Sequence, residues 1–438
     1  LNNAVTVSRI NTHAAQPRAE LGGHRLALAA GLSLVAGLWI APVYAQDGGT
    51  VLSFGVAQRF EASDNLELDD PSAGNSFSSS TQLSFGLVSE TPLSQFTLGA
   101  SAKLVGAFGP GSSLIDEGLV SPEISFNYDR SVASANLNLK GSLSEDGITT
   151  YNTIDLTDPT ADPSLLSVVA GGKVRTHSLD ATLNLQQDTP LSFGITAGLS
   201  GTRYISAADP TLIDNNSTRA GVNASLALSE VATATIGLRY SNYKDDTAGA
   251  LLYYTKGFDA GIEFERPDGI ASAGFSTDRR RSGNRNRLSF KRSVDRPDGQ
   301  FLAEIGAVRT LANDVELTGE LAYSQELPLG TIDASLRRDN VVSNKDVEYN
   351  ITTVSLGYSH SLTALSSLRL DIGYTDSEQT NISATTTYTN LGVTYSHQMT
   401  KDWGLDVGYN HNRLRKNGSS ARSNTVFVEL RRVFEYRP

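Results

Sequence analysis

Leu368-Arg369-Leu370-Asp371-Ile372-Gly373-Tyr374 carries Leu, Leu, Ile and Tyr at its even positions and Arg, Asp and Gly at its odd ones. Alternate side chains point to opposite faces only in a β-strand, so this stretch is a strand with one aliphatic and one hydrophilic face. The same division appears in Trp403-Gly404-Leu405-Asp406-Val407-Gly408-Tyr409 and in Ala232-Thr233-Ala234-Thr235-Ile236-Gly237-Leu238-Arg239-Tyr240. It recurs at 193–199, 258–264, 332–337 and 391–397. A soluble β-sandwich alternates too. Two features point instead to a sheet with lipid on one side and water on the other. The hydrophilic face is rich in Gly, Ser and Thr, and aromatic residues repeatedly bound the aliphatic face, at Tyr240, Tyr323, Tyr358, Tyr374, Tyr395, Trp403 and Tyr409. That is the placement expected of an interfacial girdle.

Composition narrows the alternatives. The chain has 438 residues, 36 Lys+Arg against 47 Asp+Glu, a formal net charge of -11 and no Cys. The absence of Cys excludes disulfides, thiolate metal sites and thiol catalysis. The negative balance disfavours nucleic acid. A mean hydropathy below zero does not suit a bundle of membrane-spanning helices, each of which needs about 20 apolar residues.

The turns have a chemistry of their own. Glu90-Thr91-Pro92-Leu93-Ser94, Asp188-Thr189-Pro190-Leu191-Ser192, Glu265-Arg266-Pro267-Asp268-Gly269, Asp295-Arg296-Pro297-Asp298-Gly299 and Glu326-Leu327-Pro328-Leu329-Gly330 share acid-x-Pro-x-Gly/Ser. Pro sets φ and Gly permits positive φ, which makes a tight turn. Longer polar connections are expected at 61–75, 144–167, 205–218 and 414–421. Short turns on one side and long loops on the other, with hairpins running unbroken to the C-terminus, give an all-β, antiparallel up-and-down transmembrane barrel of about 20 strands, within 18–22.

The N-terminal region reads differently. His24 and Arg25 precede an apolar run at 26–40, followed by Val43-Tyr44-Ala45 and then Gln46. This is the pattern of a secretory signal peptide cleaved between Ala45 and Gln46. Residues 1–45 are therefore expected to be non-structural and 46–438 to form one barrel domain. Cleavage removes Arg9, Arg18, Arg25 and Glu20, leaving 33 basic and 46 acidic side chains in an exported chain.

Together the leader, the Gly-Tyr strands, the acid-x-Pro-x-Gly turns and a last strand closing in Phe434 and Tyr436 resemble Gram-negative outer-membrane β-barrels. The segment 58–66 and the Arg431-Arg432-Val433-Phe434 close are similar to alphaproteobacterial barrels of this class. Most such chains end in Phe, whereas here Arg437 and Pro438 follow. The resemblance implies an outer-membrane location, contact with membrane lipid and lipopolysaccharide, and insertion by the barrel-assembly machinery through the last strand.

At about 20 strands the lumen must be wet or plugged. Only 46–50 separate the expected cleavage site from the first strand, too few for a plug domain. The expected lumen charges are Arg239, Asp259, Glu263, Arg287, Lys291, Glu304, Glu316, Glu320, Asp333, Arg337, Arg369, Asp371 and Asp406. Such residues filter ions or pair across strands to fix register. The function these readings favour is a porin-like channel for passive diffusion of small polar solutes, with room for an oligomer. An export barrel for polysaccharide or small molecules and a structural or adhesive barrel are the alternatives.

Four further features weigh less. The 144–167 connection, with Asp155, Asp158 and Asp162, either constricts the lumen or stays solvated outside. Arg279, Arg280, Arg281 and Arg285 form a basic loop suited to phosphate, or are simply solvated. Asp64, Glu67, Asp69 and Asp70 lack the spacing of a Ca²⁺ loop. His177, His360, His397 and His411 stand isolated, without a nucleophile motif, so neither an enzyme nor a cofactor or metal is expected.

Overall fold

The computed structural model describes residues 49–438 except 67, 69, 111–116, 149–171, 188, 209, 211, 247–250, 344–346, 381–383 and 417. The expected signal peptide, with Ala45 and Gln46, lies outside these residues, as do Glu67, Asp69, Asp155, Asp158 and Asp162.

Twenty strands follow one another: β1 Thr50–Ser63, β2 Ser76–Thr91, β3 Ser94–Phe108, β4 Gly118–Val132, β5 Ala135–Gly147, β6 Lys173–Leu185, β7 Leu191–Ile205, β8 Asn215–Ser229, β9 Ala232–Asp245 and β10 Leu251–Arg266. The second half comprises β11 Gly269–Arg280, β12 Asn284–Arg296, β13 Gly299–Arg309, β14 Val315–Leu327, β15 Gly330–Val342, β16 Glu348–Thr363, β17 Ser366–Gln379, β18 Thr385–Gln398, β19 Trp403–Lys416 and β20 Ser419–Tyr436. Each strand pairs antiparallel with its neighbours in sequence, and β1 pairs with β20, Leu52 opposite Tyr436 and Ser63 opposite Thr425. The sheet is closed, which leaves no unpaired edge.

A path that steps between paired residues from β1 through β20 and back to β1 climbs the wall by about 24 residues. Twenty strands at that stagger tilt by about 40° and enclose a backbone radius of about 19 Å. Stagger and strand number together therefore set an interior too wide for opposing side chains to fill.

The turn chemistry has its expected effect. The Pro turns at 267–268, 297–298 and 328–329 each join two strands directly. Gly269 has φ +125°, and an added Cβ there would run into the Ser293 carbonyl. Connections at the other end are longer, at 64–75, 109–117, 148–172 and 206–214. The expected loop at 414–421 is corrected: β19 and β20 continue through Leu414 and Ala421, and only 417–418 connect them. Likewise β8 begins at Asn215, which shortens the loop expected at 205–218. In both places the polar residues that read as loop belong to strands that extend past the aliphatic stripe of the convex face.

Candidate functional site: the concave face and mouth of the barrel

Which face is concave follows from long side-chain contacts. Arg287 of β12 donates to Asp339 of β15, spanning two intervening strands. Beneath that bridge Val308 of β13 is 0% exposed and Thr318 of β14 is 8% exposed. Strands about 4.8 Å apart put β12 and β15 beyond each other's reach along the convex side, so the bridge crosses the inner curve. Register then carries the assignment around the ring.

Arg239, Asp259, Glu263, Arg287, Lys291, Glu304, Glu320, Asp333, Arg337, Arg369, Asp371 and Asp406 share this concave face. Glu316 shares this face too, opposite Val308 of β13; it lies past the last β14–β15 pair, Gly319 with Arg338, and its carboxylate is 3.9 Å from the Arg338 guanidinium.

Tyr240, Tyr323, Tyr358, Tyr374, Tyr395, Trp403 and Tyr409 lie on the convex face. Tyr323, Tyr358, Tyr395 and Trp403 stand toward the short turns, Tyr240 and Tyr374 toward the long connections, and Tyr409 near mid-strand. Between them the convex surface carries exposed Leu199, Val222, Leu238, Ile305 and Leu317. Arg432 interrupts this surface near the short turns, where its guanidinium sits 5.1 Å from the Trp403 ring centre and 4.2 Å from that of Phe434. The rings give the cation a partner without a carboxylate.

Glycine shapes the inner wall at two places. Arg219 of β8 reaches Asp180 of β6 at 2.5 Å by lying across Gly198 of β7, where a Cβ would stand 2.4 Å from both the Arg219 Nε and the Asp180 Oδ1. Arg239 of β9 likewise crosses Gly257 of β10, bonding Asp259 at 2.5 Å and Asp278 of β11 at 2.7 Å. A bare backbone lets each guanidinium lie flat on the wall instead of projecting into the lumen. Gly257→Val is therefore expected to lift Arg239 off the wall. Such half-exposed pairs contribute only about 1 kcal/mol, so the visible effect is a lower single-channel conductance with little loss of stability.

The alternation reading missed Asp180, Arg219, Asp278 and Asp339. Asp180 was legible from its apolar neighbours Leu179 and Ala181; Asp278 and Asp339 stand between polar neighbours near strand ends, where the alternation gives no signal. Across β12 to β15 the register sets Lys291 opposite Glu304, Glu304 opposite Glu320 and Glu320 opposite Arg337. Yet Arg337 turns to Asp339 at 3.0 Å. Among the described residues Glu263, Glu304 and Glu320 have no ion-pair partner within 4.0 Å, and their carboxylates stay available to solutes.

At the mouth, described residues of the 64–75 connection dock on β19 and β20. Leu68 is buried against Leu414 and Ala421, with Tyr388 packed beside them. Asn65 donates to the Arg422 carbonyl at 3.0 Å, Asp64 accepts from the Asn424 backbone at 2.7 Å and from its amide at 2.6 Å, and Asp70 accepts from the Ser420 backbone at 3.2 Å and from the Ser419 hydroxyl. Burial pushes the Asp64 carboxyl up, but the Asn424 donors and the nearby Arg422 pull it further down, so it stands below the ordinary carboxylate range. A depressed carboxylate stabilises the docked form above its unfolded pKa, and that contribution is lost only as pH falls through the folded value. The connection is therefore expected to stay docked at neutral pH. Leu68→Asp, which buries a charge among Leu414, Ala421 and Tyr388, should release it and raise conductance, read as larger unitary steps in planar bilayers. Of the expected constriction at 144–167, residues 149–167 lie outside the described residues, and 144–147 belong to β5.

The basic loop does not stay together. Arg279 points to the convex side, while Arg280 and Arg285 alternate inward, Arg285 bonding the Asn340 side chain at 3.0 Å. His177, His360, His397 and His411 all lie on the convex face, His360 beside the Tyr358 hydroxyl at 3.2 Å and His411 beside Asn424 at 2.8 Å. Among the described residues no group of three or more His, Asp or Glu is placed to hold a metal.

No protein-family model matches the chain, and no curated protein sequence is similar to it. Solved structures are similar in fold. The ferric enterobactin receptor of Pseudomonas aeruginosa in complex with BCV-L6 superposes with TM-score 0.51 at 12% identity, covering 89% of this chain and 82% of the receptor. The siderophore receptor PirA from Acinetobacter baumannii gives TM-score 0.50 at 9% identity, covering 90% and 81%. The chain shares their closed barrel fold. At such identities the likeness extends to architecture alone.

Proposed function

We propose that the chain is an outer-membrane channel through which small polar solutes diffuse. One observation carries the reading: a closed wall of about 19 Å backbone radius turns uncompensated carboxylates inward, at Glu263, Glu304 and Glu320, and aliphatic side chains outward. Charge on the outer face would cost several kcal/mol near a bilayer midplane, whereas charge on the inner face costs little in water. Discrimination then comes from excluded volume and from the field of the wall, with no reaction. The aromatic residues at both levels of the convex face fit a membrane interface. The longer connections are assigned to the exterior, with lipopolysaccharide and membrane lipid as neighbours and the assembly machinery as the partner of β20.

Reconstitution of the full chain in planar bilayers tests this. Discrete, ohmic current steps are expected. The docked 64–75 connection favours one rival, a structural or adhesive barrel without an open path, and silence from both the natural chain and Leu68→Asp would decide for it.

A further inference from the structure

On the convex face, at the end bearing the long connections, Lys256 of β10 stands directly opposite Arg279 of β11. Arg279 is opposite Asn284 of β12, and Arg309, the last residue of β13, is opposite Asn286 two positions along β12. All three cations are exposed, and among the described residues none has a carboxylate within ion-pair distance. Apart from one another, their contacts and cross-strand neighbours are neutral, among them the Tyr254 ring, 5.6 Å from the Lys256 ammonium, and the two asparagines. Several other cations on this rim have acid partners. Arg175 and Lys173 meet Glu145 at 2.6 and 3.5 Å, and Arg203 meets Asp246 at 3.3 Å. Another directly opposed pair, Arg413 and Arg422, has the Asp64 carboxylate nearby.

Like charges placed directly opposite destabilise a sheet. Here the repulsion is left standing immediately above an apolar surface of Phe258, Phe275, Leu288 and Ile305. That height is where hydrocarbon gives way to headgroups. Two arginines and a lysine, with amide donors between them, match the oxygens of a phosphate monoester.

We propose that Lys256, Arg279 and Arg309 form a binding site for a phosphate group of an outer-leaflet glycolipid. The site rests on the barrel's orientation, with long connections outward, and is independent of whether the lumen conducts.

The test measures binding of fluorescent bis-phosphorylated lipid A to the full chain in zwitterionic detergent. Each surface cation near a charged lipid layer contributes about 1 kcal/mol, so Lys256→Gln/Arg279→Gln/Arg309→Gln should weaken binding on the order of a hundredfold. Lys173→Gln/Arg175→Gln/Arg203→Gln, whose cations have acid partners, should stay within about twofold. Lipid A stripped of phosphate should bind the natural chain as poorly as the first variant binds the intact lipid. Should the triple variant not fold, judged by its heat-dependent electrophoretic shift, Arg309→Gln alone still decides, with a loss of about fivefold. Equal losses in both triple variants, no loss in the first, or undiminished binding of the dephosphorylated lipid would overturn the site. Displacement by inorganic phosphate at concentrations comparable to the lipid would show a free-anion site and overturn the lipid assignment. Conductance is expected to be unchanged in every variant, so failure here and failure of the channel reading are distinguishable.

Discussion

Glu304→Lys/Glu320→Lys is expected to shift the reversal potential of the pore by about 10–30 mV toward anion preference in a tenfold salt gradient, against a limit of about 59 mV for perfect selectivity. The two carboxylates face each other across β13 and β14, flanked in register by Lys291 and Arg337. The lumen guanidiniums of Arg219, Arg239, Arg287 and Arg369 are neutralised by aspartates at hydrogen-bond distance. Glu304 and Glu320 are not, so they contribute to the field that mobile ions meet, and the natural pore should prefer cations. The substitution reverses that field locally, replacing two negative charges by two positive ones beside Lys291. Screening over about 10 Å at 0.1 M salt weakens the effect in so wide a lumen, and the measurement therefore belongs at low ionic strength. A reversal potential that does not move would remove these residues from the conduction path.

The second large effect concerns stability. Leu199 and Ser200 are adjacent in β7 and point to opposite faces; Leu199 is 53% exposed on the convex side. It pairs with Leu179 and Thr218 near mid-strand, while Ser200 pairs with Ser178 and Ser217. Leu199→Arg should cost about 2–4 kcal/mol in refolding into lipid vesicles, the penalty for a cation near the bilayer midplane. Ser200→Arg should change stability by no more than about 0.5 kcal/mol, since its side chain enters water. Reversible urea titration of both variants in the same vesicles reads the difference. Equal costs would mean that the two faces meet the same medium, which contradicts a membrane wall.

Much of this was legible in the chain. The period of two in 368–374 and 403–409 fixes the strands and their faces locally, because each residue's direction depends only on its neighbours in sequence. Proline and glycine at 267–269 and 297–299 fix the tight turns for the same reason. Strand number and the division into a long-looped and a short-turned end follow from these. The misplaced loop at 414–421 shows where locality fails: past the aliphatic stripe a strand and a polar loop have similar compositions, and only pairing of Lys416 with Ser419 distinguishes them.

What the tertiary structure decided depends on residues far apart in sequence. Ring closure sets the stagger, and the stagger sets the radius. It brings Asp180 to Arg219 across Gly198 and Arg287 to Asp339 across two strands, while among the described residues Glu304 and Glu320 have no ion pair within 4.0 Å. It seats Leu68 on β19 and β20, joining the first connection to the last hairpin. It also splits the run at 279–281, sending Arg279 to join Lys256 and Arg309 on the convex side. Composition gives the number of charges. Which of them neutralise one another is fixed only when curvature and register bring them within a few ångströms, the range over which Coulomb attraction outweighs hydration.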